Sequence, residues 1–207
     1  MIQKRLPFMA MLAVCFLVSV APLAAAEATA ITEDLKYVVD QVLLVVADPQ
    51  FKEDKKARRA KIREIIGPKF NYLEMGKRSL ARNWKKLSAE EKKEFVALFS
   101  KLLENSYASK IESYKDEKIH YVSEVVKGKY AMVKTEVVRK NDSLGVDYKL
   151  LRKGDDWRIY DFIIEGVSMV RNYRSQFSKI IRKDSFAKLM EQMSEKVLKL
   201  EAQIDQE

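Results

Sequence analysis

The chain is poor in the residues that most often carry chemistry: it has one cysteine and one histidine in 207 residues. Cys15 lies inside an apolar N-terminal run, and His120 stands alone in the middle of the sequence. A zinc site built on several histidines or thiolates is excluded by that census. So is an intrachain disulfide, which leaves stability to packing. Glycine and proline are also scarce, at 6 and 4 residues, and they act as punctuation between regular elements. No Gly-rich phosphate loop, dinucleotide fingerprint or EF-hand loop is present. Internal repeats, low-complexity tracts and obvious linkers are lacking as well.

Long apolar runs are absent except at the start. Lys4 and Arg5 precede an apolar stretch from Phe8 to Val20, Pro22 ends it, and Ala24-Ala25-Ala26 stands before Glu27. This is the pattern of a cleavable export signal, too short for a spanning helix and followed by polar sequence. The expected organisation is therefore a signal peptide at 1–26 and one mature domain at 27–207. Cys15 follows Val14 and sits within the apolar run, which argues against a lipoprotein anchor. The formal net charge is +9, and the mature part stays basic. Anionic surfaces and phosphate groups are the partners such a balance favours, while export argues against nucleic acid.

The mature chain reads as helices, then strands, then helices. Thr32 is the expected N-cap of a first helix carrying Leu35, Val38, Val39, Val42, Leu43 and Val46 at helical spacing, ended by Asp48-Pro49. A basic second helix is expected from Asp54 to Ile66 and a third from Tyr72 to Trp84. Ser88-Ala89-Glu90-Glu91 matches a capping box, and Phe95, Leu98, Phe99, Leu102 and Leu103 follow on one face. From about Lys118 the period becomes two. Ala131, Val133, Thr135 and Val137 mark the inner face of one strand and Met132 and Val138 its outer one, and alternation leaves open which strand face lines a pocket. Lys127-Gly128-Lys129, Asn141 to Gly145 and Lys153-Gly154-Asp155 are the expected turns. Helical spacing returns at about Ser168 and again after Asp184, a second expected N-cap. The fold class is α+β: a single domain with an antiparallel sheet of about four strands packed by helices.

No catalytic constellation stands out. Ser168, His120 and Asp161 are the residue types of a hydrolase triad, but Gly166-Val167-Ser168-Met169-Val170 lacks the second glycine of a nucleophile elbow. His120 reads as a strand residue, and Asp161 as one that holds a turn or caps a helix. Two other features are present in quantity. Large apolar residues abound, with 9 Phe, 9 Tyr, 8 Met and 2 Trp. Basic residues cluster at Arg171, Arg174, Lys179, Arg182 and Lys183.

Two segments carry a resemblance. One is Phe70-Asn71-Tyr72-Leu73-Glu74-Met75-Gly76, continuing through Leu80, Trp84, Ser88, Glu91, Phe95, Phe99, Leu102-Leu103 and Tyr107. The other is Trp157-Arg158-Ile159-Tyr160-Asp161-Phe162-Ile163-Ile164-Glu165-Gly166-Val167-Ser168-Met169-Val170. With the export signal and the basic, amphipathic C-terminal tail, they resemble the MlaC family, also called the toluene-tolerance family. One departure is Ala81, where the family commonly has glycine.

The resemblance implies a fold related to nuclear transport factor 2, with a curved sheet, backing helices and an apolar pocket between them. It implies a periplasmic, monomeric phospholipid carrier without cofactor, metal or enzymatic activity. Its partners would be an outer-membrane lipoprotein complex and an inner-membrane Mla-type ABC transporter, and its role the upkeep of outer-membrane lipid asymmetry. An exported adaptor for a protein partner and a hopanoid-related lipid binder are the alternatives. Two tails of about 15 carbons, at roughly 0.8 kcal/mol per methylene, would cost on the order of 20 kcal/mol if exposed, so a carrier must enclose them. The pocket wall expected on that basis comprises Trp84, Phe95, Phe99, Leu103 and Tyr107 from the helices. The strands add Val133, Val137, Tyr148, Leu150, Tyr160 and Phe162, with Val167 and Met169 just beyond. Arg171 and Arg174 are expected at the head group or at a docking surface.

Overall fold

The computed structural model describes residues 30–114 and 117–204. The export signal expected at 1–26 lies outside the described residues. Six α-helices and five strands follow one another: α1 (Ala30–Ala47), α2 (Lys55–Ile66), α3 (Tyr72–Leu80), α4 (Ala89–Glu112), β1 (Lys118–Lys127), β2 (Tyr130–Val138), β3 (Ser143–Lys153), β4 (Asp156–Ile164), β5 (Val167–Ser168), α5 (Met169–Lys183) and α6 (Phe186–Ile204). The strands form one antiparallel meander in chain order, so the α+β architecture holds. The sheet has five strands rather than four because Glu165 and Gly166, both at positive φ, turn the chain back into the two-residue β5. A two-residue loop with both φ values positive matches the right-handed twist of the strands it joins.

Local chemistry explains where the helices begin. Asp54 caps α2 by accepting from Ala57 N, and Asn71 caps α3 by accepting from Glu74 N. Ser88 and Glu91 form the reciprocal capping box of α4. Two expected caps are corrected. Thr32 lies inside α1, and its amide and hydroxyl both donate to Glu124 Oε2 on β1, at 3.0 and 2.6 Å. A first-turn amide has no partner within its own helix, and the sheet supplies one. Asp184 ends α5, while Ser185 Oγ accepts from Lys188 N at the start of α6. The expected third helix also stops early: after Leu80 the chain tightens into a 3₁₀ segment, Ala81–Lys86, with Ala81 at φ 50 and ψ −123.

The core has three parts. The largest joins α3, α4, α5 and α6 around Met75, Leu80, Phe95, Phe99, Leu103, Phe177, Leu189 and Met193. A second presses Ile31 and Leu35 of α1 onto Ala131, Val133, Leu150 and Ile159 of the sheet. A third, smaller part joins Val42 and Val45 of α1 to Ile62 of α2. Gly76 lies where α3 meets α4, and a Cβ there would stand 3.0 Å from the Phe95 ring, so that ring would have to shift. Among the described residues no helix is long and apolar enough to cross a membrane.

Candidate functional site

Strand register defines the face of the sheet that looks into the protein, since paired residues project to the same side. Ala131 pairs with Leu150, Val133 with Tyr148, Thr135 with Val146 and Val137 with Leu144. Tyr148 pairs in turn with Phe162, Leu150 with Ile159, and Val146 with Ile164. On β1, Ile119 faces Val137 and Tyr121 faces Thr135. Burial along this face is uneven. Val133, Ala131, Leu150 and Ile159 are buried beneath α1. Ile119, Val137, Leu144, Val146 and Ile164, toward the other ends of the strands, are only half-buried, and Tyr121 and Tyr148, also half-buried, pack against the covered cluster. The inner face is thus an apolar floor, closed at one end and partly open at the other.

Two β-bulges shape that floor. In β1 the register shifts between Tyr121 and Ser123, which leaves Val122 outward and 62 % exposed. In β4 an extra residue, Tyr160, lies between the partners of Lys149 and Leu150. Such an extra residue bends its strand and redirects the next side chain. Asp161 Oδ2 accepts from Ser168 Oγ at 2.7 Å, and Asp161 Oδ1 accepts from Val170 N at 3.0 Å. Ser168 Oγ in turn accepts from Arg171 N at 3.1 Å. Asp161 and Ser168 therefore start α5 and tie it to β4.

This answers the triad arrangement. His120 is exposed on β1, opposite Glu136, whereas Ser168 is on β5 at the other edge of the sheet. Four strand spacings of about 4.8 Å separate those strands, so the histidine cannot act as base to that serine. Among the described residues no group of three His, Cys, Asp or Glu side chains is placed to hold a metal.

The helical core and the sheet floor meet in an aromatic seam. Phe70 packs against both. It is held there by a parallel bridge to Ile159 and by the Asn71 N–H donating to Ile159 O at 2.8 Å. Its ring stacks on Tyr72 (5.6 Å) and meets Phe162 edge-on (6.2 Å), and Phe162 meets Tyr107 edge-on at 5.1 Å. The Tyr107 hydroxyl donates to Met169 Sδ. Burial pushes the phenols of Tyr107 and Tyr148 up to about 12. Tyr121 is also raised, by burial first and then by Tyr148, Asp40 and Glu33. These groups are neutral at any physiological pH and offer hydroxyl dipoles in an apolar setting.

The sequence-predicted wall residues fall in several places. Tyr107, Tyr148, Phe162 and Met169 come together at or beside the seam, Val133 and Leu150 form the closed end of the floor, and Val137 lies at its open end. Phe95, Phe99 and Leu103 are buried in the helical core instead. Trp84 packs at the edge of that core beneath Lys92, whose Nζ is 5.7 Å from the ring centroid. Tyr160 lies beside Tyr130, with the Arg78 guanidinium 4.3 Å above its ring. Val167 is 53 % exposed on β5. Arg171 is exposed, and Arg174 Nε donates to Arg78 O at 2.8 Å. Sequence reasoning missed Phe70, Tyr121, Leu144 and Val146. The hidden bulge in β1 blurred the alternation that would have shown Tyr121 to share a face with Val137.

A separate cavity of about 20 Å³ lies between α2 and α4, lined in part by Arg59, Ile62, Glu104 and Ile111. It has room for one water and for no organic ligand. A bidentate pair crosses the same interface, with Arg59 Nε and Nη2 donating to Glu112 at 2.8 and 2.7 Å.

The candidate site is this apolar floor, flanked by helices. The model of the MlaC protein family matches residues 36–195, and the chain belongs to that family. It is 27 % identical over 183 residues to the intermembrane phospholipid transport system binding protein MlaC of Haemophilus influenzae, covering 81 % of this chain and 84 % of that one. Its fold matches the solved structure of a phospholipid-binding protein from Ralstonia solanacearum in complex with a phospholipid. That match has a TM-score of 0.75 at 19 % identity, over 82 % of this chain and 98 % of the other.

Proposed function

We propose that this protein is a periplasmic phospholipid carrier, without enzymatic activity, of an Mla-type transport pathway. In this reading it is exported by cleavage after residue 26. It takes lipid from one membrane complex and gives it to another, passing between an outer-membrane lipoprotein complex and an inner-membrane ABC transporter. The observation that carries the reading is the half-covered apolar floor of the sheet in a chain of the MlaC family. Acyl tails belong between that floor and the helices, where water is excluded, and the phosphate stays at the open end. Opening follows the seam, because edge-on aromatic contacts and a hydroxyl–thioether bond separate at lower cost than interlocked helices. Tyr107, Val133, Val137, Tyr148, Leu150, Phe162 and Met169 are the proposed lining. Arg171, beside the start of α5, is the residue offered to a docking partner.

The test is chemical. Protein purified from its own cell envelope without detergent is extracted with organic solvent and the lipid identified, with native mass spectrometry of the intact complex alongside. A phospholipid bound to the folded chain is the expected result. Protein that neither contains lipid nor acquires it from vesicles would end the proposal. Sequencing of the mature N-terminus, expected at Glu27, checks the export step independently.

A further inference from the structure

Two polar side chains at the floor and its seam find partners within the protein. Thr135 Oγ1 donates to Val146 O at 2.7 Å, and at the seam the Tyr107 hydroxyl has Met169. The Tyr121 hydroxyl differs: it is buried and makes no hydrogen bond within the protein. A buried hydroxyl without a partner is destabilising, and native structures keep few of them. Phenylalanine would fill the same space without that cost. Tyr121 also occupies a particular position. It stands opposite Thr135, one step from the covered pair Val133–Tyr148 and one from the half-open pair Val137–Leu144. A lipid with its tails under α1 and its phosphate at the open end would have its glycerol esters at that boundary.

Resting on the carrier reading above, we propose that Tyr121 donates a hydrogen bond to an acyl-ester carbonyl of the bound phospholipid and so sets the depth at which the tails stop. The acceptor is the ester rather than the phosphate for an electrostatic reason. The carboxylates of Glu33 and Asp40 on α1 lie close enough to disfavour negative charge at this hydroxyl, and they repel a phosphate in the same way. A carbonyl oxygen is neutral and accepts one hydrogen bond without bringing charge into an apolar site.

The experiment compares a diacyl phosphatidylethanolamine with its dialkyl ether analogue, of equal chain length and head group but lacking the carbonyls. Both are offered to lipid-free mature wild-type protein and to Tyr121→Phe. Wild type is expected to hold the diacyl lipid about fivefold more tightly, the scale of one neutral hydrogen bond. The variant is expected to hold both lipids alike, and its lipid-free form to unfold at an equal or higher temperature than wild type. A variant that keeps the diacyl preference overturns the assignment. So does one that weakens both lipids equally, which would point to the phosphate, or one whose lipid-free form is clearly less stable, which would give the hydroxyl a structural role. Wild type that binds neither lipid refutes the carrier reading itself, an outcome distinct from the others.

Discussion

The helical core and the sheet floor are both apolar, yet they are built differently. In the helical core Phe95 and Phe99 stack at 5.5 Å, Phe177 meets both edge-on, and Phe95 and Phe99 are fully buried. Tyr107 and Tyr173 pack at its margin, only partly buried. The floor carries tyrosines among branched aliphatics and loses cover toward one end of its strands. A core of interlocked rings has one good arrangement and resists a guest. A smooth floor of Val, Leu and Ile, rimmed by phenols, can exchange contacts with helices for contacts with an alkyl chain at little net cost. On the proposed function, the first region fixes shape and the second receives the lipid.

The sharpest test of that division removes a ring from each side of it. Phe95→Ala should cost about 4 kcal/mol of unfolding free energy, as expected for a fully buried aromatic. The fraction of folded molecules carrying lipid should stay unchanged. Urea unfolding followed by lipid extraction of the folded fraction reads both. Loss of lipid without loss of stability would reverse the roles assigned to the two regions.

Next in size is the pair that holds α2 to α4, away from both. Glu112 and Arg59 are each only 8 % exposed, and removing one member of a buried pair costs about 3 kcal/mol. Glu112→Ala should show that loss at neutral pH. Burial alone would raise the Glu112 pKa, but hydrogen bonds and charge from Arg59, with Arg58 adding, hold it below its usual 4.5. A carboxyl lowered in the folded state stabilises it above the unfolded pKa, and the contribution fades as pH falls through the lower folded value. The gap between wild type and variant should therefore narrow below about pH 4.5. A gap that is flat with pH would mean that the pair is not what the variant removes.

A third substitution tests the floor directly. Val146 is half-buried on the floor, opposite Thr135 and Ile164. Val146→Trp should lower lipid occupancy about tenfold, equivalent to about 1.4 kcal/mol of binding, while changing lipid-free stability by less than that. Equal occupancy in the two proteins, read by native mass spectrometry, would place the tails elsewhere.

Much of this architecture was legible in the sequence, because its signals are local. The Ser88–Glu91 capping box, the stop at Asp48-Pro49, the start at Asp54 and the alternation from Ala131 to Val137 depend on neighbours a few residues apart. The site was less legible because it depends on register. The bulge at Val122 interrupts the period in β1, and the one at Tyr160 places that ring under Arg78 rather than on the floor. The distinction between Phe99 and Phe162, two rings of equal hydrophobicity, lies in which element packs on each, and no periodicity encodes it. The family segments carry more. Phe70-Asn71 is the clip between α3 and β4, Gly76 the close approach to Phe95, and Asp161 with Ser168 the start of α5.

The smallest expected effect concerns Ala81, just after α3. Ala81 has φ 50 and ψ −123, a conformation that glycine adopts freely and a Cβ disfavours by roughly 1–3 kcal/mol. The position is imposed from both sides. Leu80 before it is fully buried in the helical core, and the 3₁₀ segment after it carries Trp84 to the edge of that core. The backbone therefore cannot relax without withdrawing one of these side chains. Ala81→Gly removes the Cβ and its strain, but it also frees the unfolded chain, which offsets about 0.4–1 kcal/mol of the gain. A net stabilisation of about 1 kcal/mol is expected, measurable as a higher urea midpoint at unchanged slope. Because Ala81 lies in the helical region, lipid occupancy should not follow the gain in stability. If occupancy rose with stability, the helical core would have to move when the site fills, and the division between a region that fixes shape and a region that binds would fail.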